Sequence, residues 1–281
     1  MKVLKASDIA ERVARMCVEA NCDIEPDMMA AFDKAIAREA SPTGRDILVE
    51  IKENALLGKA ETVPTCQDTG FAVFFVDLGA GVAVEGGTIP EAINAGVRKG
   101  YKEGYLRGSI VRDPILDRSN TGDNTPAVVH IDHVAGEELR ITMMAKGGGS
   151  ENMSRLKMLR PADGLQGVKD FVLYCVENMG GNACPPVVVG VGVGGTFEKA
   201  AQLAKRSLLR PVGSPNPDPK LDAIEKELLE TVNRTGIGPM GLGGAVTAFD
   251  VHISTHPCHI ASLPVAVNIE CHAHRHKEIV L

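Results

Sequence analysis

The sequence predicts an α+β protein, and three features predict it. Apolar residues recur at helical spacing through the first sixty positions, β-branched runs such as PPVVVGVGVGG (185–195) have the pattern of buried strands, and the two kinds of segment alternate without an internal repeat. With 281 residues, 44% of them hydrophobic, the chain is long enough to bury a sizeable core. The expectation is one cooperative unit over 1–281, with a helical N-terminal segment at 1–60 and a mixed α/β body at 61–281.

Taken in order, SDIAERVARMCVEANC (7–22) places Ile9, Val13, Met16, Cys17 and Ala20 on one helical face, with Ser7 as its N-cap. A second helix is expected over 26–40, opening on Pro26, and a third over 45–60, closing near Gly58, so that three helices precede the first strand. FAVFFVDLG (71–79) and VAVEGG (82–87) are strand-like, and 89–105 is helical. AVVHIDHV (127–134) and ELRITMMA (138–145) are expected to form a hairpin, with His130 and His133 as ordinary strand residues. Helices follow at 165–180, 196–209 and 220–234, the last two separated by the Pro-rich loop RPVGSPNPDP; strands through GAVTAFDVHIS and SLPVAVNIEC close the chain. Gly190, Gly192 and Gly195 satisfy G-x-G-x-x-G between a strand and a helix, but no second strand ending in an acid follows at ribose-gripping distance. The glycines are therefore read as tight strand–helix packing or as an anion-facing turn, not as a nucleotide site.

Charge and cysteine usage exclude several classes. A net charge of −6 without a long basic run argues against a nucleic-acid partner. No apolar stretch reaches the roughly 18 residues of a membrane helix, and the N-terminus lacks a signal-peptide core, so a cytoplasmic protein is expected. The seven cysteines are odd in number and irregularly spaced, unlike a disulfide framework. Cys17 and Cys175 fall among helical apolar neighbours and are expected in the core.

Cys66 in VPTCQDTG, Cys184 in GGNACPP and Cys271 in IECHAHRH sit instead at loops or strand ends, where ligands and catalytic groups concentrate. Gln67, Asp68 and Thr69 share the first of these loops. The histidines crowding the C-terminal region leave a His/Cys zinc site as a competing reading, although the H-x-x-x-H and C-x-x-C spacings of such sites are not completed.

The stretches PTCQDTG, AKGGGSENMS, GGNACPPVVVGVGVGG and THPCHIASLPVAVNIECHAHRH, in that order and spread over nearly the whole chain, resemble the α chain or N-terminal region of the iron-sulfur-dependent class I fumarate hydratases and tartrate dehydratases. The resemblance implies a [4Fe-4S] cluster held by Cys66, Cys184 and Cys271, with one iron left open to substrate. It further implies Gln67 and Asp68 in substrate contact and proton transfer, Arg107 (with Arg112 close by) as a carboxylate clamp, a glycine of 147–149, chosen as Gly148, as an amide donor, and His259 as an active-site histidine. The reaction it implies is hydration of fumarate to (S)-malate, with dehydration of L(+)-tartrate as the alternative and a non-catalytic iron-sulfur or zinc protein as the reading from another class. The sequence ends at HRHKEIVL, and the resemblance implies that the remaining substrate-binding groups come from a β subunit in a heterodimer or heterotetramer.

Overall fold

A computed structural model describes residues 1–281. The elements run β1 (Lys2–Lys5), α1 (Ala6–Cys22), α2 (Pro26–Arg38), α3 (Pro42–Glu61), β2 (Phe71–Gly79), β3 (Val82–Glu85), α4 (Ile89–Glu103), β4 (Val128–Val134), β5 (Leu139–Lys146), α5 (Gly148–Glu151), β6 (Arg155–Leu159), α6 (Gly164–Met179), β7 (Val187–Gly194), α7 (Phe197–Ser207), α8 (Pro219–Asn233), β8 (Ala248–His256), β9 (Leu263–Glu270) and β10 (His276–Val280). Helices and mixed sheets share the chain, so the fold class is α+β. No helix is long and apolar enough to cross a membrane. The chain folds into two compact units, one of residues 1–24, 54–148 and 275–281, the other of 25–53 and 149–274.

In the first unit the sheet order is β10-β5-β2-β4. The run FAVFFVDLG of β2 is apolar on both faces, which suits a central strand. It pairs with β5 on one side in antiparallel fashion (Phe71 opposite Lys146) and with β4 on the other in parallel (Val73 opposite Val128). The expected hairpin between 127–134 and 138–145 is therefore not formed. The more apolar β5 lies inside the sheet and is buried along most of its length, while β4, punctuated by His130, Asp132 and His133, becomes the edge.

Ile9, Val13, Met16 and Cys17 of α1 pack with Ile93 and Val97 of α4 over Phe74, Val76, Ile141 and Met143 of that sheet. The two helices approach through Gly100, where an added Cβ would stand 2.5 Å from the Ala14 carbonyl oxygen. Helix α4 opens with a complete capping box between Thr88 and Glu91.

Three expectations at the N-terminus are corrected. A strand, β1, precedes the first helix and pairs in parallel with β3. Because β1 runs directly into α1, the N-cap position falls on Lys5, which gives no side-chain cap, and the Ser7 hydroxyl bonds Asp8 instead. Gly58 does not end α3, which continues to Glu61; a Cβ there would meet Thr65 Cγ2 at 2.6 Å, so the glycine serves packing.

In the second unit the sheet order is β6-β9-β7-β8, with β7 parallel to β8 and antiparallel to β9. Val187, Val189 and Val191 are fully buried with Ile253, Val267, Val172 and Leu228. Gly190 and Gly192 lie under α7: a Cβ on either would fall 2.2 Å from Ala204 O or 2.1 Å from Ala200 O. Gly190 and Gly192 thus serve strand–helix packing, the first of the two readings left open by the sequence, while Gly195, at φ of +69°, turns the chain into α7. The Pro-rich loop is tied down by acids, Val212 N donating to Asp27 Oδ2 (2.6 Å) and Gly213 N to Asp250 Oδ2 (2.7 Å).

Candidate functional site

The loop from Thr62 to Gly70 carries Cys66, Gln67 and Asp68 between α3 and β2, and it is pinned at both ends. At one end Thr65 N donates to Asn21 O (2.9 Å), at the C-terminus of α1, and Asn54 Nδ2 holds Thr65 O (2.8 Å). At the other end Gly70 turns into β2 with φ of +72°, and a Cβ there would come within 2.5 Å of Lys146 O, so only glycine fits. Between the pins the Asp68 carboxylate is oriented by two backbone amides, Gly70 N on Oδ1 (3.0 Å) and Gly148 N on Oδ2 (2.8 Å). The Gly148 amide, expected as a donor to substrate, is engaged by Asp68 in this state. The Cys66 thiol donates to Gln67 Oε1 at 3.5 Å.

Thr69 connects this loop to Arg107. Its buried hydroxyl donates to Arg107 O (3.1 Å) and accepts from Arg107 N (2.9 Å), which fixes the backbone from which the exposed guanidinium projects. Arg112 instead belongs to a turn closed by its own N–H on Ser119 O, with no bond to the Cys66 loop. Behind Thr69, the buried Tyr101 hydroxyl lies 2.9 Å from Thr69 O and 3.1 Å from Gly70 O, and Asn124 Nδ2 donates to Gly70 O (3.1 Å). Burial, reinforced by Cys17, pushes the Tyr101 phenol far above its ordinary value, so it acts as a neutral donor.

In the second unit, α6 ends at Met179 and the chain turns through Gly180–Ala183 to Cys184, whose own N–H reaches Gly181 O (3.1 Å). Cys184 has φ of +53°, a left-handed conformation uncommon outside glycine that marks a position held by its surroundings. The surroundings include the Gly-rich loop at 238–244. Met240 N donates to Pro185 O (2.7 Å), and Gly241 lies so close that an added Cβ would stand 2.5 Å from Gly181 Cα.

Cys271 follows β9, and the adjacent His272 N donates to Cys184 O (3.3 Å), so the Cys184 and Cys271 loops are bonded to one another. His259 stands in the turn between β8 and β9, its Nδ1 accepting from Ala261 N (3.1 Å), beside a cleft of about 610 Å³ lined also by Met158, Phe197, Lys199 and His256. A second cleft, of about 460 Å³, lies among α2, α8 and the Pro-rich loop and contains none of the residues singled out from sequence.

None of the seven cysteines forms a disulfide. Cys17, Cys22 and Cys175 are buried, and burial raises all three thiols, Cys175 to about 12, so these are packing residues. Cys66, Cys184 and Cys271 are half-buried, whereas Cys258 is exposed with its thiol on Ser262 O. Within the second unit Cys184 and Cys271 stand on loops hydrogen-bonded to one another, and in the first Cys66 stands on its own pinned loop; half-buried thiols are a donor type that suits an iron-sulfur cluster. No group of three His, Cys, Asp or Glu side chains, the three loop cysteines included, is gathered in the geometry of a metal-ion site.

Sequence reasoning missed Arg275, which is 1% exposed. Its Nη1 donates to Asp68 O (2.6 Å) and to Asn21 Oδ1 (3.0 Å). Its place four residues after Cys271 was the one available signal. Glu39 was also missed; it is 1% exposed and holds the start of the 245–248 segment through the amides of Ala245 and Val246.

A family model described as fumarate hydratase (Fumerase) matches residues 10–280. A Methanocaldococcus jannaschii protein provisionally named L(+)-tartrate dehydratase subunit alpha is 42% identical over 276 residues, covering 97% of this chain and 96% of its own length. The L(+)-tartrate dehydratase subunit alpha of Escherichia coli strain K12 is 34% identical over 271 residues, covering 95% and 88%.

Proposed function

Because the chain belongs to the fumarate hydratase (Fumerase) family of hydro-lyases, we propose that it is the alpha subunit of an enzyme that adds water reversibly to fumarate, giving (S)-malate. What carries the reading is the connected network of Asp68, Gly148, Thr69 and Arg107: one carboxylate oriented by two amides, and one arginine whose backbone is fixed by a buried hydroxyl on the same loop. Dehydrating a substrate with two carboxylates calls for a group that assists proton removal and for a carboxylate clamp.

In the dehydration direction a proton leaves the carbon next to one carboxylate, and hydroxide leaves the neighbouring carbon as water. Asp68, its oxygens aimed by Gly70 and Gly148, assists removal of that proton. Arg107 offers a planar pair of donors to a carboxylate on which charge builds. Gln67 is exposed beside the thiol ligand and offers its amide to the same diacid. His259 is assigned to the active site as a proton-handling imidazole. A [4Fe-4S] cluster on Cys66, Cys184 and Cys271 would supply a Lewis-acidic iron that makes hydroxide a better leaving group. Donors placed in advance for developing charge contribute on the order of 3 kcal/mol each.

A dianionic substrate calls for more cationic groups than these residues supply. The named relatives are alpha subunits, and we assign the missing groups to a beta subunit in a heteromer. Cysteines without disulfides suit a reducing compartment such as the cytoplasm. A second reading, dehydration of L(+)-tartrate to oxaloacetate, is favoured by the names of both relatives.

The test is anaerobic purification of the chain with and without its co-expressed partner, followed by initial rates on fumarate, (S)-malate and L(+)-tartrate. Fumarate and malate turnover by the pair, with nearly none by the chain alone, is expected. Turnover of tartrate alone would select the second reading. Robust activity without a partner, or a colourless zinc-bearing protein inert on all three, would overturn the proposal.

A further inference from the structure

Arg275 is among the largest fully buried side chains of the protein, and it pairs with no carboxylate. Its two hydrogen-bond partners are neutral oxygens, Asp68 O at 2.6 Å and Asn21 Oδ1 at 3.0 Å, and its Nε donates to nothing. A guanidinium withdrawn from water without a hydrogen-bonded counter-charge is costly, and buried charges are ordinarily paired. Its placement ties it to one segment. Asn21 accepts Arg275 on its side chain and Thr65 N and Oγ1 on its carbonyl, while Arg275 itself holds Asp68 O. Cys66 and Gln67 are the two residues suspended between those anchors.

Resting on the proposed hydro-lyase reading, we propose that Arg275, with Asn21, is a positioning residue that presents the Cys66–Asp68 loop, and that its positive charge is the counter-charge for an anion bound at that loop. Two consequences separate this role from simple packing. In the metal-free chain no carboxylate is hydrogen-bonded to the guanidinium, so removing it leaves global stability unchanged or raised while the loop loosens. Supplying a carboxylate to it within the protein stabilises the metal-free chain and opposes anion binding.

The experiment uses the full chain, metal-free and under argon, as wild type, Arg275→Met, Arg275→Lys, Asn21→Asp and Asn21→Leu. Peptide-level hydrogen exchange over 63–75 and the urea midpoint are read first. Expected for Arg275→Met is exchange at the loop at least tenfold faster with a midpoint no lower than wild type, with Arg275→Lys intermediate. Asn21→Asp keeps an oxygen facing Arg275 and adds charge but loses the Nδ2 donor to Cys17 O (2.9 Å), so its midpoint is expected to exceed that of Asn21→Leu, which loses the same donor without adding charge. Each chain is then reconstituted with iron and sulfide and its visible and electron paramagnetic resonance spectra compared; altered spectra for the Met and Asp variants, partly restored in the Lys variant, are expected. A lowered midpoint for Arg275→Met with exchange raised everywhere would make Arg275 a packing residue and overturn the inference, as would an unchanged loop. Should Arg275→Met fail to fold, an Asn21→Asp midpoint no higher than that of Asn21→Leu would overturn it alone. If wild type takes up no cluster, the hydro-lyase reading fails, while exchange and midpoint still decide the positioning role.

Discussion

Replacing Glu39 by glutamine tests how the Cys184 loop is supported. The carboxylate accepts Ser41 N on Oε1 (2.9 Å), Ala245 N on both oxygens (2.9 Å each) and Val246 N on Oε2 (3.0 Å). Burial pushes its carboxyl up, but the amides of Ala245, Ser41, Val246 and Ala40 outweigh that and hold the net value below the usual glutamate range. Glutamine keeps one acceptor. Placed where Oε2 now stands, it serves Ala245 and Val246 and turns an NH₂ toward the half-buried Ser41 amide. A buried donor left unmatched costs about 1–3 kcal/mol, and charge-assisted bonds exceed neutral ones by roughly 1 kcal/mol each, so a loss of about 3 kcal/mol is expected at pH 7. Urea unfolding followed by far-ultraviolet circular dichroism measures it. The pH dependence supplies a second check. A carboxyl lowered in the folded state stabilises fully above its unfolded value, near 4.3, and that contribution is lost as pH falls through the folded value. The gap between wild type and Glu39→Gln is therefore constant above about pH 5 and closes below about pH 4. A difference under about 1 kcal/mol, or one independent of pH, would refute the reasoning.

Gly192→Ala forces a Cβ to within 2.1 Å of Ala200 O, and overpacking of this kind costs about 1–3 kcal/mol; thermal unfolding of the chain registers it as a lowered midpoint. Tyr101→Phe removes the hydroxyl facing Thr69 O and Gly70 O, with an expected loss of about 1–2 kcal/mol in urea unfolding and a rise in the KM for fumarate of the assembled enzyme, since Thr69 fixes Arg107. Serine at Cys66, Cys184 or Cys271 abolishes the brown chromophore after anaerobic reconstitution, whereas serine at the exposed Cys258 leaves it, as visible absorption reports.

What the sequence disclosed and what it withheld divide along a physical line. Local periodicity placed most of the helices and the long strands, because each is set by which face a segment buries: Ile9, Val13 and Met16 in α1, or the valines of β7, have no other way to leave water. Pairing was less legible. The spacing of 127–134 and 138–145 suggested a hairpin, yet β2 lies between them, because a nine-residue strand apolar on both faces gains more from two neighbours than a polar edge strand gains from a short turn. The short edge strands β1, β6 and β10 carry little apolar signal, and Pro and Gly at the Cys184 turn mark a loop without revealing what grips it. The resemblance pointed to Asp68 and Arg107, and the Cys66 loop to Thr69; Arg275 and Glu39 were missed because both act through backbone groups distant in sequence, Asp68 O across 207 positions and Ala245 N across 206. A residue that recognises a peptide carbonyl or amide leaves no pattern of partner types for a sequence to display. The supporting layer of this site is therefore where structure adds most to what the motifs imply: a buried cation, Arg275, whose hydrogen bonds go only to neutral oxygens.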